Sequence, residues 1–226
     1  MLYLLVIFLP TLLLALYASF KVKRTFAKYA EVPVSSGLTG AEAAMAMLRS
    51  AGLDRDVAVE PVEGFLSDHY DPRHRVLRLS PDVYSGRSVA AVGVACHEVG
   101  HAIQHATGYV PLVLRNAIVP TASIGSGLGS LLIVGGLALN LTGLATVGLI
   151  LFSAVVLFQL INLPVEFNAS ARAKEHAMSL GIVRGTHENS GVAAVLSAAA
   201  MTYVAATVTA IVNLLYYAWV VTSARE

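Results

Sequence analysis

The longest uncharged stretch of this chain constrains the environment in which it can fold. No Asp, Glu, Lys or Arg occurs in residues 116–164. A membrane-spanning helix needs about 20 mostly apolar residues, so this stretch is too long for one crossing and long enough for two. Turn-forming residues around Asn140 lie near its middle. We therefore predict two membrane-spanning helices, near 117–138 and 143–163.

Two more apolar stretches lie towards the two ends of the sequence. Residues 1–20 carry no charge, and the first basic residue, Lys21, comes only after them. A cleaved secretory signal has its positive charge before the apolar part, so we interpret 1–20 as a retained span with its N-terminus outside; a cleaved signal is the alternative. As a helix, the stretch 191–222 would be roughly 48 Å long, against about 30 Å of hydrocarbon. We expect the span near 203–222, with the alanine-rich part before it packed on the soluble domain.

The distribution of basic residues predicts which segments lie in the cytoplasm. Segments 21–115 and 164–202 hold 11 and 3 of the 15 Lys and Arg residues, whereas only Arg225 falls on the opposite side. Basic residues collect on the cytoplasmic side of membrane proteins, so both segments are predicted to be cytoplasmic. The chain is expected to be a four-span, multi-pass protein of the cell membrane. Its net charge of +1 offers no basic field for nucleic acid, so the expected partner is the lipid bilayer.

The cytoplasmic segments have the pattern of a small, mainly α-helical domain that contains a short β-hairpin. Helices are predicted at 40–51, 88–107 and 165–180, strands at 57–62 and 76–80, and a linker at 33–40. Pro164 is a favoured first residue for the last of these helices. The loop 68–72 is expected to connect the two strands into the hairpin. Cys96, the single cysteine, is interpreted as a buried core residue.

One predicted helix carries the motif His-Glu-Val-Gly-His, which begins at His97. Residues four apart lie on one helix face, so His97 and His101 can hold one Zn²⁺ through imidazole nitrogens. Glu98 can then accept a proton from water that the ion activates. A helix that carries two histidines by chance is the structural alternative. His105 lies about 12 Å from His97 along the helix axis, too far to share the ion.

A catalytic zinc site needs a third protein ligand and an open position for water. Glu166 is the best candidate, because it follows Pro164 at the point where the third span re-enters the cytoplasm. Small residues near it, including Ala169, would let its helix approach the motif helix. A helix N-terminal acid without a metal is the alternative role of Glu166. The rival ligands are Glu175, His176 and His187.

Substrate contacts are expected beside the hairpin. Asp68 and His69 lie in its loop and are candidates for binding substrate, with a solvated loop as the alternative. Leu77 and Leu79 lie in the second strand, which we predict to be an open edge that pairs with extended substrate backbone. We expect one Zn²⁺ per chain and a protein or peptide as substrate.

Several short segments, in this order, resemble one protein family. They are Asp68-His69-Tyr70-Asp71-Pro72, Leu77-Arg78-Leu79-Ser80, His97-Glu98-Val99-Gly100-His101-Ala102-Ile103-Gln104, Leu163-Pro164-Val165-Glu166-Phe167 and Ala199-Ala200-Met201-Thr202-Tyr203. Over nearly its whole length the chain resembles the YugP-type neutral zinc metallopeptidases, bacterial membrane proteins related to the HtpX-like proteases. The resemblance implies a gluzincin-like zinc site with His97, His101 and Glu166 as ligands and Glu98 as the base.

The chain departs from the pattern of these proteins at two positions. Asn168 stands where we expect Asp, and Ser170 stands where the HtpX-like proteases place an acid four residues after the glutamate ligand. A carboxylate that orients a ligand histidine is therefore not identified from the sequence.

The sequence thus predicts a four-span, mainly helical membrane protein with a zincin-like cytoplasmic domain. Its predicted function is that of a membrane-bound zinc metalloendopeptidase that cleaves membrane or unfolded proteins, with Glu98 as general base. A catalytically silent membrane scaffold and a zinc transporter are the alternatives. A transporter needs metal ligands inside several spans, and the first three predicted spans have almost none; a silent scaffold needs no base, yet Glu98 is intact.

Overall fold

The computed structural model describes residues 3–224. The first two residues of the predicted span 1–20, and the predicted external Arg225, lie outside this range. The described residues are mainly α-helical and contain a small β-sheet. The helices are α1 (Leu9–Ala30), α2 (Gly40–Ser50), α3 (Pro81–Tyr84), α4 (Val89–Ala106), α5 (Val110–Ile124), α6 (Ser130–Ala138), α7 (Thr142–Ser179) and α8 (Gly185–Ser223), and the strands are β1 (Ala58–Pro61), β2 (His69–Asp71) and β3 (Val76–Leu79). Short π-helical segments, Leu4–Phe8 and Gly125–Gly129, precede α1 and α6.

Four helical stretches are long and apolar enough to cross a membrane. Within residues 3–224 they are Leu4–Ala30, Val110–Ala138, Thr142–Ser179 and Gly185–Ser223. The predicted set of four apolar helices is therefore confirmed. The turn between the second and third falls at Asn140, whose φ of 56° is a left-handed conformation that Asn tolerates better than most residues. The turn residues in the uncharged stretch thus predicted its position correctly.

One compact unit contains most of the apolar helices. Within the described residues it consists of 3–17, 110–164 and 202–224. Glycines set the distance between its second and third apolar helices. A Cβ atom at Gly136 would lie 2.5 Å from the backbone nitrogen of Ala145, and one at Gly129 would lie 3.1 Å from that of Phe152. Side chains at these positions would push the helices apart, so glycine allows the close packing that is typical of membrane helices.

Helix α4 runs through the core of the second compact unit, which consists of residues 18–109 and 165–201. The side chain of Ser88 caps the helix by accepting a hydrogen bond from the backbone of Ala91 at 3.2 Å. Gly108, with φ of 61°, ends it in the conformation that glycine adopts most easily. The helix predicted at 88–107 is confirmed, and most of its residues are buried, Cys96 among them.

The sheet of this unit differs from the predicted hairpin. Strand β3 is central and pairs in parallel with β1 and antiparallel with β2. The prediction of a hairpin between 57–62 and 76–80 is therefore wrong, because the true hairpin joins β2 to β3. Its turn is closed by Asp71, which accepts hydrogen bonds from the backbone of Arg73 and His74 at 2.9 and 3.3 Å. The residues of β2 are polar and lack the alternation of apolar residues that predicts a strand.

The central position of β3 also overturns the predicted substrate edge. Partner strands occupy both sides of β3, so its backbone is not available to an extended substrate. The side chains of Leu77 and Leu79 have 0% exposed surface and belong to the hydrophobic core. The expectation that these two residues contact substrate is wrong, because alternating leucines predict a strand without telling a central strand from an edge.

The helix predicted at 165–180 is part of a longer one. Helix α7 continues through Pro164 without a break, so the prediction that a helix begins there is wrong. Proline removes one backbone donor, but a helix can absorb that loss when its residues on both sides are packed or the site lies at membrane depth. Glu166 therefore lies inside a continuous helix and not in the first turn of a new one.

The first part of α8 packs on the second unit, as predicted for the alanine-rich segment before the last span. A Cβ atom at Gly191 would lie 2.7 Å from Cγ1 of Val89, and one at Gly93 would lie 3.4 Å from Cγ1 of Val192. Glycines on both helices thus bring α8 directly against α4.

The segment 33–40 is fixed and is not a loose linker. The backbone nitrogen of Val34 donates a hydrogen bond to the carbonyl of Arg87 at 3.0 Å. Glu188, at the start of α8, accepts a hydrogen bond from the backbone of Ser35 at 2.8 Å. These contacts connect the segment to both sequence ranges of the unit, 18–109 and 165–201, an outcome that its Pro, Ser and Gly content does not predict.

Candidate metal centre

Helix α4 presents His97 and His101 on one face, as their spacing of four residues predicts. The ring centroids lie 4.8 Å apart and the ring planes are nearly perpendicular, at 83°. His97 is 9% exposed, and His101 is partly buried. Buried imidazole rings need polar partners, and the groups that face these two rings define the site.

Glu166 on α7 faces both histidines. Its Oε2 atom lies 3.3 Å from Nε2 of His97 and 3.4 Å from Nε2 of His101. The Glu166 side chain is buried, at 3% exposure, so its charge is directed into the site and not into solvent. The structure thus brings together the three residues that the sequence predicted as ligands.

Small residues allow α4 and α7 to approach closely at this point. A Cβ atom at Gly100 would lie 2.6 Å from the backbone oxygen of Ala169, a distance that real Cβ atoms do not tolerate. Ala169 and Ala173 are fully buried on the facing side of α7. The predicted contact between the two helices through small residues is confirmed, and it explains why glycine stands inside the motif.

The three side chains fit a tetrahedral zinc ion. Zinc binds His nitrogen and carboxylate oxygen at about 2.0–2.2 Å, which places neighbouring ligand atoms of a tetrahedron about 3.4 Å apart. The two separations from Glu166, 3.3 and 3.4 Å, match that edge, and the three ligand atoms all lie within 4.8 Å of one another. Two imidazoles and one carboxylate are also a donor set of catalytic zinc sites, in which the fourth position stays open for water.

The second ring nitrogen of each histidine also has a partner. Nδ1 of His97 lies 3.1 Å from Oγ of Ser170, and Nδ1 of His101 lies 3.0 Å from Oε1 of Gln104. Ligand histidines normally use this nitrogen to fix their orientation. The sequence left this partner unidentified because an acid was expected, whereas the structure uses a neutral hydroxyl and a neutral amide. The position of Gln104, three residues after His101 on the same helix, was the available signal.

Glu98 follows His97 on α4 and is buried, at 8% exposure. Burial lowers the pKa of His101, but the hydrogen bond with Glu166 and the negative charge of Glu98 outweigh it and raise that pKa. The pKa of Asp68 is also raised. Burial is the largest cause, the charge of Glu98 adds to the rise, and hydrogen bonds from Ser80 oppose it. The charge of Glu98 therefore acts on the site, where it favours a cation.

The other candidate residues lie outside the group of three. Asp68 accepts a hydrogen bond from the backbone of Ser80 at 2.7 Å and so connects the start of β2 to the end of β3. His69 is exposed, and its Nδ1 atom lies 2.7 Å from the carbonyl of Ser67. A substrate role for Asp68 and His69 stays a prediction. Of the rival ligands, Glu175 and His187 are exposed and His176 is partly buried.

A tyrosine and a histidine connect the sheet to the motif helix. The hydroxyl of Tyr70 lies 2.8 Å from Nδ1 of His105, which places the edge strand β2 beside α4. His105 is thus a supporting residue of the structure and not a member of the ligand group, in agreement with the prediction that it cannot share the ion.

Comparisons with known proteins agree with the geometry. A family model described as "Putative neutral zinc metallopeptidase" matches residues 4–222. A relative from Bacillus subtilis (strain 168), described as "Putative membrane protease YugP", is 53% identical over 213 residues, which cover 94% of this chain and 94% of that protein. No solved structure matches this chain. The chain therefore belongs to the neutral zinc metallopeptidase family that this model describes.

Proposed function

We propose that this protein is a membrane-bound zinc metalloendopeptidase that hydrolyses peptide bonds in membrane or unfolded proteins. The observation that carries the proposal is the convergence of His97, His101 and Glu166 at distances that fit a tetrahedral ion. Glu98 follows His97 on α4, the helix that carries both histidines. The name of the family and the name of the Bacillus relative support a protease in a membrane.

Three residues of the site would bind the metal ion, and a fourth transfers the proton. A zinc ion, when bound, would polarise the scissile carbonyl and lower the pKa of water from about 15.7 to about 7. His97, His101 and Glu166 would hold that ion through two imidazole nitrogens and one carboxylate oxygen. Glu98 accepts the proton of the attacking water on its carboxylate and then delivers it to the leaving amine nitrogen.

Metal removal tests the proposed reaction. The purified full-length protein in detergent is expected to contain one zinc per chain and to degrade casein. A chelator should abolish degradation, and stoichiometric Zn²⁺ should restore it, whereas Mg²⁺ should not, because it prefers oxygen ligands and octahedral geometry. Degradation that persists after complete zinc removal would contradict the proposal. Tight zinc binding without any hydrolysis would favour the alternative of a silent scaffold.

We further propose that the second unit faces the cytoplasm. The supporting observation is the concentration of basic residues in the segments that fold into it. A thiol reagent that cannot cross the membrane reports this orientation. Cys96 does not interfere, because burial raises the pKa of its thiol to about 12.

Single added cysteines are expected to give opposite results on the two sides. Glu63→Cys and Ser179→Cys, both at exposed positions of the second unit, should react only after the cells are permeabilised. Leu141→Cys, in the exposed turn before α7, should react in intact cells. Labelling of Glu63→Cys and Ser179→Cys in intact cells would show that the orientation is reversed.

A further inference from the structure

Gln104 is the most buried polar side chain beside the ligand group. It has 0% exposed surface and lies on α4, three residues after His101. A buried amide is stable only when its hydrogen bonds are made inside the protein. The three partners of this amide therefore show what Gln104 does.

The Gln104 amide reaches from the motif helix to the helix that carries Glu166. Its Oε1 atom lies 3.0 Å from Nδ1 of His101. Its Nε2 atom donates to the backbone carbonyl of Val165 at 2.8 Å and to Oδ1 of Asn168 at 3.0 Å. One side chain thus contacts a predicted ligand on α4 and the residue directly before the predicted ligand on α7.

The chemistry of these partners fixes the direction of every hydrogen bond. A backbone carbonyl can only accept, so the NH₂ group of Gln104 must face Val165 and its oxygen must face His101. That oxygen can only accept, so the nitrogen of His101 that faces it, Nδ1, carries a proton, and Nε2 is the nitrogen that would bind zinc. Ser170 imposes no such choice on His97, because a hydroxyl can donate or accept.

A second amide holds the first in place. Oδ1 of Asn168 accepts from Gln104 and also from Nε of Arg172 at 2.8 Å. Arg172 can only donate, so Asn168 must present its oxygen to both groups. This gives a reason why Asn serves at position 168, since its acceptor oxygen does what the expected Asp would do.

We propose that Gln104 is a positioning residue that joins the two halves of the zinc site. It selects the metal-binding tautomer of His101 and ties that ring to the backbone beside Glu166. The inference rests on the proposed function, because it assigns Gln104 a role only if the three residues hold zinc. The neutral amide of Gln104 thus orients His101, a role for which a carboxylate was expected.

Zinc affinity tests this role. Gln104→Met keeps the length of the side chain but removes all three hydrogen bonds, and it is expected to weaken zinc binding about 10- to 100-fold, as supporting partners of zinc ligands do. Val99→Ala is the control, because Val99 is a fully buried residue of α4 outside this network; it should lower thermal stability without lowering zinc affinity. Both affinities are measured on full-length protein by competition with a coloured chelator.

Two spectra distinguish positioning from a merely structural effect. With Co²⁺ in place of zinc, Gln104→Met should show visible bands that are shifted from those of the wild type and of Val99→Ala. In the zinc-loaded wild type, nitrogen-15 spectra of labelled histidine should show His101 protonated on Nδ1; this result needs no variant and stands even if Gln104→Met does not fold. A proton on Nε2 of His101, or wild-type zinc affinity in Gln104→Met, would overturn the role of Gln104 and leave the proposed function intact. A wild type that binds no zinc would overturn both.

Discussion

Replacing Glu166 by Ala is expected to lower zinc affinity more than about 100-fold, a larger loss than the 10- to 100-fold typical of residues that only support a ligand. The carboxylate is the one negatively charged member of the group of three, and it lies 3.3 and 3.4 Å from the two imidazole nitrogens. Its removal leaves two neutral ligands on one helix. Casein degradation should fall with the bound zinc, since a metal-free site cannot activate water.

Glu175→Ala provides the matched control for this experiment. Glu175 is an exposed acid on the same helix, so its removal tests the general effect of losing a negative charge from α7. Zinc affinity of this variant should equal that of the wild type under the same detergent condition. If Glu166→Ala keeps zinc tightly while Glu175→Ala or His176→Ala loses it, the third ligand is misassigned and the geometry at Glu166 has another purpose.

The membrane helices and the motif helix could be predicted because their signals are local. A charge-free stretch of sufficient length predicts its spans from the thickness of the bilayer. The spacing of His97 and His101 predicts a shared helix face without any knowledge of tertiary structure. The prediction of Glu166 as a ligand also requires that two consecutive spans return the chain to the side of the membrane that holds the motif helix. The small residue Ala169 supports this prediction, because it lets the two helices approach.

Two predictions are wrong, the open edge strand and the helix start at Pro164, because contacts with distant residues decide both structures. The pattern of Leu77 and Leu79 predicts a strand, but the neighbours of that strand depend on the turn that Asp71 closes, and this makes β3 central. Pro164 predicts a helix start from its own chemistry, whereas the packing of α7 on both sides of Pro164 keeps the helix continuous. In both cases tertiary contacts outweigh a local preference.

The role of Gln104 shows a third kind of limit. Its spacing from His101 was visible in the sequence, yet the hydrogen-bond direction depends on the carbonyl of Val165, a backbone atom far away along the chain. Every residue has a backbone carbonyl, so the residue type does not indicate which carbonyl accepts the hydrogen bond. The family pattern predicts an acidic partner near Glu166, and a neutral glutamine on the motif helix does not fit that pattern.

Glu98 is the residue on which hydrolysis itself depends. Glutamine has nearly the shape of glutamate but no basic carboxylate, so Glu98→Gln should leave the three ligands and the packing of α4 unchanged. A positioned general base contributes about 10²- to 10⁴-fold to a rate. We expect Glu98→Gln to lower the rate of casein hydrolysis by about 10³-fold or more, which corresponds to about 4 kcal/mol of transition-state stabilisation. Glu175→Gln, the same change at an exposed position of α7, should retain the wild-type rate.

The decisive measurement is the rate of casein hydrolysis by Glu98→Gln that has been shown to carry one zinc per chain. A loss of about 10³-fold with zinc content equal to the wild type would show that the metal centre is intact and that the carboxylate performs the proton transfer. Hydrolysis at the wild-type rate by the zinc-loaded variant would remove Glu98 from the mechanism and contradict a peptidase that works through this site.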